Sequence, residues 1–403
     1  MNEENLPPEE IPGEKKERQA HPFRTLKELL DHVSGKDLPP LTLDDGGKAE
    51  SLPFPFLAIV GQWEMKLALT LGLINPNIGG ILLIGPRGTA KTTAVRSLVD
   101  LLPQVERSAC HYGCLPEDIE AGGIDAVCPD CAKKYGEGAS LTISDRVRLV
   151  ELPLNANLEN VIGGLDERAA MHQRMRLQRG ILAQADRNLL YIDEVNLLKD
   201  DVIDAILDAA AQGSYTLRRG PASATYRSRF LLVGSMNPEE GRLRPQIMDR
   251  FGLRVVVHGL DDAKERLEAY RRVQAYLQAP RQVIGTYADE MAAVREELEE
   301  TRKRLVNVRI SDKAAKEAIT LIQALGVDSL RAEITWFEAA RAYAAASGRT
   351  VVKSADLYAV APMALRLRRS KFIDAYFNDQ QAEEEELSTL LKPFERKKRI
   401  AKK

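Results

Sequence analysis

Four apolar residues, Ile81-Leu82-Leu83-Ile84, run directly into Gly85-Pro86-Arg87-Gly88-Thr89-Ala90-Lys91-Thr92-Thr93. The pattern is a strand that breaks into a glycine-bearing turn and then opens a helix. Such a turn aims successive backbone N–H groups at phosphate oxygens, and the helix N-terminus adds its partial positive charge. Lys91 is spaced to reach the outer phosphates and the Thr92 hydroxyl to ligate Mg²⁺. Ala90 stands where the full loop pattern has glycine. Alanine fits there if the residue has helical dihedrals, and glycine would be required only at positive φ.

A second run narrows the chemistry. Leu189-Leu190-Tyr191-Ile192 reads as a buried strand that delivers two adjacent acids, Asp193 and Glu194. In a nucleoside triphosphatase the first acid holds the Mg²⁺ shell and the second polarises the attacking water. ATP and Mg²⁺ are the cofactors that these two runs imply. The bland alternative is an ordinary buried strand ending in acids, and its pairing with the loop weighs against that.

From Phe54 to about Val257 short apolar strands alternate with helical patterns, which argues for a parallel sheet flanked by helices. The expected strands are Ile81–Ile84, Leu149–Leu152, Leu189–Ile192, Phe230–Val233 and Leu253–Val257. After Gly259 the period changes. Ala263–Leu277, Ala288–Leu305, Asp312–Leu325 and Arg331–Ala346 read as helices, with a further helix start at Ser354. The polar Ala288–Leu305 stretch suits a solvated or bridging helix. The fold class expected is α/β: a P-loop domain with a parallel sheet, then an all-helical lid. In residue numbers this gives an arm, mostly disordered, at 1–50, an α/β domain at 51–260, a lid at 261–378 and a charged tail at 379–403.

The 57 basic and 59 acidic side chains leave a formal charge of −2. No global field pulls such a chain onto nucleic acid or an acidic membrane. Apolar runs are too short for a membrane span, and the acidic, proline-bearing start does not read as a signal peptide. The expected compartment is the cytoplasm.

All four cysteines fall in an insert at 108–138: Cys110 and Cys114, thirteen residues, then Cys128 and Cys131. Two close thiolate pairs supply the count and spacing of a tetrahedral structural Zn²⁺ site. Redox-active dithiols, an iron–sulfur cluster and unligated cysteines are the alternatives. His111 could substitute as a ligand, although an exposed bystander fits it better.

Further motifs follow in the order expected of an AAA+ ATPase. Gly234-Ser235-Met236-Asn237-Pro238 resembles sensor 1, with Asn237 helping to place the lytic water. Arg250, in Met248-Asp249-Arg250-Phe251-Gly252, resembles the arginine finger that crosses to a neighbouring subunit's nucleotide. Ser329-Leu330-Arg331-Ala332-Glu333 resembles sensor 2, with Arg331 expected to face phosphate from the lid. Ala58-Ile59-Val60-Gly61-Gln62 resembles the segment that packs on adenine, through Val60 and Gly61.

The resemblance then becomes specific. Phe54–Gln62, Tyr191–Leu198, Asn237–Gly241 and Arg244–Gly252 look like the I subunit of magnesium chelatase, with similarity from about Phe54 to Arg368. That family implies a homo-oligomeric ATPase ring, expected to be a hexamer. It works with a D subunit bearing an integrin-like domain and an H subunit that binds porphyrin. ATP hydrolysis would drive Mg²⁺ insertion into protoporphyrin IX on the way to chlorophylls. The family also implies a hairpin before sensor 1, matched by Gly213–Gly220 and Thr225–Phe230 with Arg218, Arg219, Arg227 and Arg229 on it. A MoxR-type AAA+ chaperone acting on a partner with an integrin-like domain is the alternative. A nucleic-acid motor is disfavoured by the neutral charge and the lack of a recognition module.

Overall fold

The computed structural model describes residues 52–368, apart from 103, 111–112, 166–176, 221 and 328. The expected arm at 1–50, the tail at 379–403 and His111 lie outside the described residues.

Five parallel strands form the central sheet: β1 (Ile81–Ile84), β2 (Leu149–Leu152), β3 (Leu189–Ile192), β4 (Leu231–Met236) and β5 (Leu253–Val256). Their order is β5-β1-β4-β3-β2. Side chains alternate between two cores, as period-two geometry requires. Ile81, Leu83, Leu189, Tyr191 and Val233 enter one; Leu82, Ile84, Leu190, Ile192 and Leu232 enter the other. The fourth strand starts one residue later than its apolar run and ends three residues beyond it. Gly234, Ser235 and Met236 continue the ladder opposite Leu82, Leu83 and Ile84. That extension carries Ser235 into the sheet and leaves Asn237 just past its end.

Helices α1 (Trp63–Ile74) and α2 (Lys91–Ser97) cover the first face through Met65, Leu69, Leu71, Ala94 and Val95. Next, an antiparallel ribbon of Gln104–Ser108 and Thr142–Arg146 raises the cysteine insert, which holds α3 (Pro116–Gly122) and α4 (Pro129–Gly136). Helix α5 (Asp200–Gln212) packs on the second face through Val202, Ile203, Ile206 and Leu207. Its Asp200, Asp204 and Asp208 lie one turn apart, the first and last exposed and Asp204 half-buried. The hairpin follows at once, Ser214–Arg219 paired with Ala222–Arg227. The short α6 (Pro245–Arg250) then leads into β5.

The rest is helical, apart from a short parallel pair of Arg309–Ile310 with Val351–Val352: α7 (Ala263–Gln278), α8 (Pro280–Thr286), α9 (Ala288–Leu305), α10 (Asp312–Ala324), α11 (Leu330–Ala346) and α12 (Ser354–Leu365). The polar α9 bridges to the sheet domain. Arg302 Nε donates to the Leu73 carbonyl at 2.7 Å and Arg295 Nε to that of Asp100 at 2.9 Å. Trp336 of α11, fully buried, belongs to the same core as Leu83 and Val233. The lid helices and the first sheet face therefore share one continuous apolar interior. No helix among the described residues is long and apolar enough to cross a membrane.

Candidate nucleotide site

The loop leaves β1 where Gly85 N–H bonds to the Met236 carbonyl at 3.1 Å. A Cβ on Gly85 would sit 2.1 Å from the Val257 carbonyl oxygen, so only glycine fits that close passage. Ala90 has φ 65° and ψ 19°, at the N-cap of α2. The residue is left-handed, not helical, so the condition under which alanine costs nothing is not met. An L-residue there gives up about 1–2 kcal/mol. Closing the loop onto the helix imposes the left-handed turn, and Ala90 tolerates it. Lys91 Nζ lies 2.7 Å from both the Gly85 and Pro86 carbonyls. Burial holds this lysine below its usual pKa, against the pull of Asp193, Glu240 and Glu194.

Thr92 Oγ1 donates to Asp193 Oδ2 at 3.1 Å, bringing the two expected Mg²⁺ ligands together. Two residues that the sequence reading did not single out hold Asp193 from behind. The Tyr191 hydroxyl donates to Asp193 Oδ1 at 2.9 Å and stands 3.1 Å from Thr92 Oγ1. Ser235 Oγ also donates to Asp193 Oδ1 and accepts the Glu194 N–H at 3.2 Å. One hydroxyl on β4 thus positions both acids. Burial and the neighbouring carboxylate raise the Tyr191 pKa above its ordinary value, so its proton stays available for donation. The signal in sequence was a tyrosine hydroxyl two residues before Asp193 in an otherwise apolar strand.

Glu194 is left-handed at φ 51°. Burial, then the charge of Glu240, raises its pKa above the ordinary carboxylate value. Asn237, buried at 3% exposure, gives its amide proton to Glu240 Oε1 at 3.0 Å. Arg87 Nε reaches the same oxygen at 2.5 Å and its Nη2 lies 3.8 Å from Glu194. Arg87, Glu194, Asn237 and Glu240 form one charged cluster over the loop. Glu240 is a further residue the sequence reading missed.

Beside the loop a cavity of about 490 Å³ is lined by Ala58, Ile59, Val60, Gly88, Thr89, Ala90 and Thr93, with Tyr270 and Val273 of α7 opposite. Its apolar walls and size suit a nucleoside base. Gly61, at φ 60°, flanks it against Leu260.

Arg250 and Arg331 stand elsewhere. Arg250 precedes β5, which runs parallel to β1, so it lies at the end of the strands opposite the loop. Its Nη1 pairs with Asp208 at 2.7 Å and Asp204 at 3.8 Å on α5. Arg250 is thus ion-paired with acids of its own chain, though not with its sequence neighbour Asp249. Asp249 is taken by Arg254, Arg368 and Arg331, at 3.2, 2.7 and 3.7 Å. Arg331 therefore does not face this chain's own phosphate loop, as expected from the lid, but joins the group around Arg250. The way α11 packs against the sheet domain puts it there. The loop, Asp193, Glu194 and Asn237 come together in one chain; the two arginines do not join them.

The four cysteines are free thiols whose sulfurs lie within 4.8 Å of one another. Cys114 N–H points to Cys110 Sγ and Cys128 N–H to Cys114 Sγ, both at 3.3 Å. Burial opposes ionisation of Cys110, but hydrogen bonds from Ser108, the Cys114 N–H and the other thiols outweigh it and draw its pKa down.

Residues 167–245 match the family model for magnesium chelatase, subunit ChlI, and 315–390 match the AAA lid domain. Over 335 residues the chain is 43% identical to the magnesium-chelatase subunit ChlI homolog of Methanocaldococcus jannaschii, covering 82% of this chain and 90% of that protein. The chain belongs to the magnesium chelatase ChlI family. The magnesium-chelatase 38 kDa subunit of Rhodobacter capsulatus is 42% identical over 325 residues, 80% of this chain and 90% of its own. A chain of the BchI–BchD complex of magnesium chelatase, reconstructed by cryo-electron microscopy, is 39% identical across 81% of this chain and 99% of that one, with a TM-score of 0.45. The parallel sheet with its helical lid is the AAA+ arrangement expected for this family.

Proposed function

We propose that this chain is the ATPase motor of a magnesium-chelatase-type complex, using ATP hydrolysis to drive Mg²⁺ insertion into protoporphyrin IX. The observation that carries this reading is the convergence of Lys91, Thr92, Asp193, Glu194 and Asn237 at the end of three adjacent strands. The base would lie in the cavity beside Val60 and Gly61, and the loop N–H groups with Lys91 would hold the phosphates. Lys91 must turn from the Gly85 and Pro86 carbonyls to do so. Thr92 and Asp193 would hold Mg²⁺, which supplies charge neutralisation on the phosphates. Glu194 orients and polarises water, and Asn237 fixes that water's position, with Glu240 steadying the amide.

Such a site is incomplete in one chain. Arg250, at the end of the sheet opposite the loop, and Arg331, on lid helix α11 within 3.7 Å of Asp249, stand where a neighbouring subunit's nucleotide would meet them. This supports a homo-oligomeric ring, with a hexamer the expected size. Partners of the D and H types are part of the same proposal, and membership of the family supports it. The sequence identity to named chelatase subunits favours this reading over the chaperone. The cysteine cluster is best read as one structural Zn²⁺ site, since all four thiolates are used and none is left open for chemistry. Sulfurs about 2.3 Å from zinc lie about 3.8 Å apart in a tetrahedron, a contraction of about 1 Å at most from this arrangement.

Mixing two inactive variants tests the shared site. Lys91→Ala should lose nucleotide binding, and Arg250→Ala should bind ATP without hydrolysing it. Mixed rings should regain ATPase activity where an intact loop faces an intact finger. Activity in Arg250→Ala alone at the parent rate would reject the finger.

A further inference from the structure

We propose that the four-cysteine module is a metal-dependent clamp on the neighbouring hairpin. The inference rests on the zinc reading and adds to it what the metal is for. The insert has its own interior, separate from the two main cores: Cys114, Cys131 and Leu141 are buried, with Cys110, Ile119, Val127 and Cys128 packed around them. Four of these seven residues are the cysteines themselves. So small an apolar cluster cannot hold two short helices in place, and folds of this size depend on a staple. An ion bound by the four sulfurs provides it, and Zn²⁺ is the ion whose ligand preference they match.

The staple fixes α3, which starts two residues after Cys114. From its first turn Asp118 meets Arg227 Nη2 at 2.5 Å, and Glu117 meets Arg227 Nη1 at 3.1 Å and Arg187 Nη2 at 3.0 Å. Asp118 is itself held by the Leu115 N–H at 2.8 Å. Arg227 is the last residue of the hairpin's return strand, paired with Ser214 at the root. Its neighbour Tyr226 lies under the Arg179 guanidinium at 5.3 Å, and Arg179 packs so tightly on Gly113 that a Cβ there would come within 2.5 Å. The module thus grips Arg227 directly through α3, and Tyr226 through Arg179, which packs on its Gly113. Ion pairs this exposed are weak when each carboxylate is free to move. They hold the hairpin only while α3 is held, and α3 depends on the metal.

The root is also coupled to the finger's holder. Ser228 N–H bonds the Gly213 carbonyl at 3.0 Å, and Gly213 ends α5, whose Asp208 pairs with Arg250. An ordered hairpin root fixes the end of that helix.

The test uses the full chain. Zinc is measured by elemental analysis, and amide exchange across 213–229 is followed by mass spectrometry before and after chelation. The same measurements are made on the Glu117→Gln, Asp118→Asn double variant, which keeps every cysteine. Expected are one zinc per chain in parent and variant, and exchange at the hairpin root faster by about tenfold on chelation and in the variant. Exchange in the loop at 85–92 should not change. Zinc present with hairpin protection unaffected by both treatments would overturn the clamp and leave the metal site standing. Native chain without zinc would overturn both.

Discussion

Ser235→Ala should loosen both acids of the nucleotide site at once. The Ser235 side chain is buried at 1% exposure, so no bulk water replaces it. Its removal takes one of two hydrogen bonds from Asp193 Oδ1 and leaves the Glu194 N–H, 3.2 Å away, without its partner. A hydrogen bond to a charged group contributes about 1.5–3 kcal/mol and an unpaired buried N–H costs about 1–3. Together the two losses come to about 2.5–6 kcal/mol. If about 1.4 kcal/mol of this is orientation of Asp193, half-saturating Mg²⁺ for ATP hydrolysis rises about tenfold. Tyr191→Phe removes the other bond, at 2.9 Å, and should shift Mg²⁺ dependence by a similar factor. The assay is steady-state ATPase at saturating ATP with free Mg²⁺ titrated, alongside thermal unfolding. Half-saturation within twofold of the parent in both variants would refute the idea that these hydroxyls set the carboxylate.

Glu194 must be ionised to polarise water, and burial with the nearby Glu240 raises its pKa. The acid limb of ATPase activity should therefore lie above the ordinary glutamate range. Glu240→Gln removes the repelling charge and should move that limb to lower pH; a limb that stays in place would reject the coupling. Ala90→Gly relieves a left-handed alanine and should raise the melting temperature by about 2 °C, whereas a lower one would contradict the backbone assignment.

Much of the frame was legible in the sequence because apolar runs report strands and one-sided spacing reports helices. Leu189–Ile192 and Ala288–Leu305 have the bounds their patterns suggest. The loop and both acids were legible because their chemistry demands fixed local spacing, and the cysteine cluster for the same reason. Ala90 was not, since its dihedrals follow from closing the loop onto α2. Arg331 was not, because its place depends on how α11 packs against the sheet, a contact between residues far apart in the chain. Ser235 escaped notice because β4 runs three residues past its apolar segment and carries that hydroxyl to Asp193, and Glu240 because its contact with Arg87 joins residues far apart in the chain.

The central claim is that ATP hydrolysis at this site drives Mg²⁺ insertion. The measurement is formation of Mg-protoporphyrin IX by fluorescence, with ATP and the D and H subunits of the same genome. The account predicts product that requires this chain and disappears with Glu194→Gln, while ATP still binds. ATP hydrolysis by this chain without product, beside D and H subunits that are active with another I subunit, would contradict it.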